Sequence, residues 1–215
     1  MKHVKKQAVK RRNHRLWRTV CHEAGHAVAD FVFGFRVGRV SVVPDNVSLG
    51  RVHTRKKTLK QREFIEYGVG VFSDRTTTRK IARWHDEVVS LLAGREAVRL
   101  LAPGSKFRIG TEGDLHQAHD ILMRLHPENE LPLVLKWLEM RARNLVSRPE
   151  HRATIRALAG AFMKKPEMTG AEVLTVLGDA RQKYFSRNCK AFKSLLASAA
   201  NTSVPDTKAT KSVTL

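Results

Sequence analysis

The stretch TVCHEAGHAVADF, residues 19–31, holds the side chains best suited to chemistry. His22, Glu23 and His26 spell H-E-x-x-H. On an α-helix successive residues turn by about 100°, so His22 and His26 lie ~40° apart, one turn above the other. Both imidazoles can then reach one metal ion, and Glu23 lies beside them, within reach of a water on that ion. Zn²⁺ held this way would lower the pKa of its water towards ~7 and polarise a scissile carbonyl. The Glu23 carboxylate would take the water's proton and later deliver it to the leaving amine. In a chain with ten histidines the pattern can arise by chance. Its setting argues for a metal, because unpaired imidazoles and a carboxylate are costly inside the most apolar helix of the N-terminal half. Gly25 sits mid-helix at about 1 kcal/mol relative to Ala, which implies that another element packs closely there.

The helix that must carry these residues has apolar positions at Leu16, Val20, Ala24, Ala27, Val28 and Phe31, and Gly34 supplies a stop. RVGRVSVVP (36–44), the turn DNVSLG (45–50) and RVHT (51–54) read as a small β-hairpin. RVSVV (39–43) is either an ordinary hairpin strand or an edge strand that holds an extended peptide by main-chain pairing. Residues 55–75 give no clear pattern. Helical patterns follow over about 79–101, from near Thr111 to before Pro127, and over 131–146, 150–164 and 169–185. The expected fold is mainly α with a small β-hairpin element, in the α+β class. Trp17, Trp84 and Trp137 read as core or helix-packing residues, Cys21 as a packed thiol, and Arg95 as a structural ion-pair residue.

A catalytic zinc site needs a third protein ligand, with the fourth position left open. No further histidine follows His26 in AVADFVFGF (27–35), so the ligand must come from elsewhere. The best segment is RIGTEGDLHQAHDIL (108–122), which offers Glu112, Asp114, His116 and His119. Asp114 stands at a helix start, where Thr111-x-x-Asp114 also fits a capping box and an acid favours the helix dipole.

HEAGHAVADFVFG, RVSVVPDNVSLGRV, VVSLLAGREAVRLL and GTEGDLHQAHDI occur in that order. Together they resemble the peptidase domain of FtsH-type zinc metalloproteases, over roughly residues 17–180. The resemblance implies a zincin-like metallopeptidase fold, with His22 and His26 as zinc ligands and Glu23 as general base. It implies Asp114, followed by Leu115, as the third ligand. The chain departs from the family in encoding no P-loop and no ATPase module, and in having Glu112-Gly113 where the family has Ser-Asn before the aspartate. ATP-driven unfolding is therefore not expected of this chain, and a separate ATPase is a candidate partner beside the peptide or unfolded-protein substrate.

The net charge is +20, and the first 18 residues hold eight basic residues and no acid. Such a field attracts polyanions. The alternative reading is accordingly a zinc-fold binding protein whose basic surface contacts nucleic acid. By composition, residues 1–15 read as a basic flexible arm, 16–190 as the metallopeptidase domain and 199–215 as a disordered polar tail. Two distant cysteines give no disulfide framework, and no apolar run reaches the about 18–20 residues of a membrane span. A cytoplasmic protein without a transmembrane segment is expected.

Overall fold

A computed structural model describes residues 2–43, 51–53, 75–104 and 112–201, with side chains over 14–43, 78–104 and 112–190. The turn at 45–50, most of 55–75, Thr111 and the tail from 202 onward lie outside the described residues. The elements in chain order are α1 (Lys2–Val32), β1 (Arg39–Ser41), β2 (Arg51–His53), α2 (Arg75–Leu101) and α3 (Glu112–Met123). After a 3₁₀ turn at Glu128–Glu130 come α4 (Leu131–Ser147), α5 (Pro149–Lys164), β3 (Glu167–Met168) and α6 (Gly170–Asn201). The molecule is thus mainly helical with a small antiparallel sheet.

The centre of the fold is α1, which packs against α2 on one side and α5 on another. Small residues make this close approach feasible: Ala24, Ala27 and Ala29 are fully buried on α1, beside Val20 and Val28. They meet Val88, Leu92, Ala93 and Ala97 of α2 and Ile155, Leu158 and Phe162 of α5 in one continuous core. α2 in turn leans on α4 and α3, and α6 packs on α5.

Gly34 ends α1. It adopts φ 66°, a left-handed conformation that costs glycine little. The Phe35 N–H donates to the Asp30 carbonyl at 2.8 Å and the Gly34 N–H to the Phe31 carbonyl at 3.2 Å, the bond pattern of a Schellman cap. Arg83 of α2 reinforces this end by donating to the Phe33 carbonyl, with its guanidinium 3.8 Å over the Phe35 ring.

Three sequence expectations change. α1 begins at Lys2 rather than near Leu16, so the basic N-terminal segment continues the metal-motif helix. Its Lys, Arg, Gln and Ala residues are good helix formers, which the apolar periodicity did not weigh. β1 is the middle strand of the order β2-β1-β3: Val40 pairs with Val52 on one side and with Met168 on the other. The edge-strand reading of RVSVV therefore fails, because the main-chain groups of Val40 and Ser41 face strands on both sides. Of the core and helix-packing alternatives, Trp137 keeps only the second: it is 42% exposed, with its ring edge-on to His85 of α2, while Trp84 is buried.

Arg95 bonds Glu139 and lies 3.5 Å from Glu96, as an ion-pair residue should. No helix among the described residues is long and apolar enough to cross a membrane.

Candidate metal centre

His22 and His26 project from one face of α1 with their Nε2 atoms 3.0 Å apart. Asp114 enters from the first turn of α3, and its Oδ2 lies 3.0 Å from His22 Nε2 and 3.2 Å from His26 Nε2. Three ligand atoms thus form a nearly equilateral triangle, and these residues are the one group of metal-ligating type found among the described residues. Two neutral nitrogen donors and a carboxylate suit zinc. Ligands ~2.0–2.2 Å from a tetrahedral ion lie about 3.3–3.6 Å from one another, so a small outward shift of the three atoms would seat the ion.

The sequence joins these residues across 92 positions, and the crossing of α1 with α2 makes room for them. A Cβ on Gly25 would lie 2.7 Å from the Ala93 carbonyl oxygen and from the Ala97 Cβ. A Cβ on Gly94 would lie 2.5 Å from His26 Nε2 and 2.8 Å from His22 Cε1. Both glycines are there because a side chain would fill the space that the backbones or the imidazoles occupy. Gly25 fits its reading as a close-packing residue.

The backbone carbonyl of Ser90 accepts a 2.8 Å hydrogen bond from His26 Nδ1–H. With Nδ1 as the donor, a neutral His26 would carry its lone pair on Nε2, the atom that faces Asp114 and His22; without a metal, protonated Nε2 donates to Asp114 instead. The Ser90 hydroxyl donates to Asp30 Oδ1 at 2.5 Å, which ties α2 back to α1. Sequence reasoning missed Asp30 and Ser90. The available signal was a carboxylate inside the apolar run AVADFVF, which must find a polar partner when buried.

Electrostatically the three groups hold one another. Burial pushes the His26 imidazole down, but the charge of Asp114 and its hydrogen bond, with Glu23 and the Ser90 carbonyl, carry it up to about 9. Burial likewise raises the Asp114 carboxyl, and the His26 charge with hydrogen bonds from both imidazoles outweighs it, holding the group well below the usual carboxylate range. The His22 and Asp114 side chains keep 13% and 26% of their exposure, so the centre reaches solvent.

Glu23 is buried on α1, next to His22 in sequence and outside the converging trio. Of the other candidates on α3, Glu112 is exposed and does not join the trio. His116 is 81% exposed and faces Asp120 at 3.9 Å, and His119 is exposed as well. Cys21 is fully buried in the core.

No protein-family model matches the chain, and no curated protein matches it.

Proposed function

We propose that this chain is a zinc-dependent metallopeptidase of zincin-like, FtsH-related type. One observation carries the reading: His22, His26 and Asp114, from two helices, converge on one point with Glu23 buried alongside but outside the trio. A purely structural zinc site is closed by four protein ligands, whereas three ligands at a partly exposed position, the number found among the described residues, are the pattern of a catalytic one. Bound there, zinc would supply Lewis-acid polarisation of the scissile carbonyl and acidify the attacking water.

The chain's own residues divide the remaining work. His22, His26 and Asp114 would hold the ion, and the Ser90 carbonyl keeps His26 oriented with its Nε2 lone pair forward. Glu23 would accept the proton of the attacking water and donate it to the departing amine. No energy-dependent unfolding belongs to this scheme, so substrates would be peptides or unfolded segments, presented where necessary by a separate ATPase.

The deciding experiment is Glu23→Gln, assayed for zinc stoichiometry and for hydrolysis of an unstructured polypeptide. Zinc content should stay unchanged while hydrolysis falls by ~10²–10⁴-fold or more. A variant that cleaves at the rate of the parent would remove the mechanism.

A further inference from the structure

The last helix leaves the body of the protein part-way along its length. The early turns of α6 bury Val173 and Leu177 against the core. From Arg181 to Lys190 every residue except Tyr184 is exposed, and the helix backbone continues to Asn201. The exposed stretch RQKYFSRNCK contains Arg181, Lys183, Arg187 and Lys190 and no acid. Lys183, Arg187 and Lys190 stand at i, i+4 and i+7, which puts them on one face within ~60° and along about 10 Å of helix axis. Like charges at these spacings repel and weaken a helix that has no packing partner. A row of phosphates would relieve that repulsion.

We infer that the Lys183–Arg187–Lys190 face of α6 docks on the sugar-phosphate backbone of nucleic acid, without reading bases. Charge complementarity selects this occupant: beyond Asp179, one turn before Lys183 on the same face, the three basic residues are followed by no acid up to Lys190, and the chain's net charge of +20 adds long-range attraction. A membrane surface fits less well. The apolar residues of the stretch are Tyr184, Phe185 and Cys189, and Arg181 and Asn188 interrupt the face they form. Arg181 lies 5.7 Å over the Phe185 ring, so among the described side chains, up to Lys190, this side offers no continuous apolar surface to sink into lipid. The inference does not depend on hydrolysis at the metal centre.

The test is binding of a short labelled duplex DNA by fluorescence anisotropy, between about 50 and 200 mM salt. The triple variant Lys183→Glu, Arg187→Glu, Lys190→Glu is compared with Arg148→Glu, Arg152→Glu, Arg156→Glu. The second triple changes the net charge equally, at exposed positions on and just before α5. Replacing the α6 face should cost about 100-fold in affinity and lower the salt slope by about 2.7, or 0.9 per lost contact. The α5 triple should cost less than about tenfold. A milder Gln triple at 183, 187 and 190 preserves helix propensity and should give the same slope change. Equal losses in the two Glu triples would overturn the inference, as would undetectable binding at low salt. Tighter binding to anionic vesicles than to the duplex would overturn it in favour of a lipid surface.

Discussion

Gly25 of α1 and Gly94 of α2 meet back to back: a Cβ built on Gly25 would come 3.0 Å from the Gly94 Cα. Gly25 lets the two backbones approach, and Gly94 leaves its side-chain space to the imidazoles. Helix crossing and candidate metal centre therefore share one steric condition.

Gly94→Ala should break the centre while leaving most of the fold. The added methyl meets His26 Nε2 at 2.5 Å, so an imidazole must turn out of the trio. We expect zinc affinity, measured by chelator competition, to fall at least about 10–100-fold, the range for disturbing a ligand's surroundings. Stability should drop by about 1–3 kcal/mol, as for other overpacked interiors. Parent-like affinity would show that the methyl is accommodated without moving His26.

Asp114→Ala should weaken zinc binding by more than the ~10–100-fold typical of losing an outer partner of a ligand. His119→Ala should leave it unchanged, since His119 is exposed and outside the converging group. Calorimetric titration of both variants separates the two residues. Equal losses would contradict the geometry of α3.

The cysteines should differ sharply in reactivity. Burial drives the Cys21 thiol up to about 12, against a smaller downward pull from Arg156, whereas Cys189 is exposed. A chromogenic disulfide reagent near neutral pH should titrate one thiol quickly in the native protein and the second only on unfolding. Two fast thiols would place Cys21 at the surface.

Acid should weaken the fold through His85. This ring lies 2.8 Å from His126, Nε2 to Nε2, with the Trp137 ring edge-on to it and His126 itself 3.8 Å from Glu130. Burial first, then His126 and Arg141, push the His85 imidazole down to about 4, against an upward pull from Asp86. Between about 6.5 and 4 the unfolded chain holds more protons at this position than the folded one. The contribution of the neutral ring is thus complete above about 6.5 and is lost as pH falls towards 4. Urea melts across this window should show a flatter pH dependence for His85→Gln than for the parent. Identical slopes would mean that His85 titrates normally in the folded state.

The sequence alone carried what depends on the local period of the chain. The i, i+4 spacing put His22 and His26 on one face of a helix, Gly34 ended that helix, and five of the later elements followed from apolar spacing and from Gly and Pro. Local reasoning fell short at element ends, where a helix runs on past the point at which the reading stopped it. α1 reaches back to Lys2, and α6 runs to Asn201 through a stretch lacking Gly and Pro. The residues around the metal motif left four candidates on α3, and only family resemblance favoured Asp114. Tertiary structure brought Asp114 to the two imidazoles, gave His26 the Ser90 carbonyl, and placed β1 between two strands instead of at an edge. A helix period is set by backbone geometry within a few residues. A contact across 92 positions exists only because Gly25, Gly94 and the small core residues let α1 and α2 pack closely enough for α3 to arrive beside them.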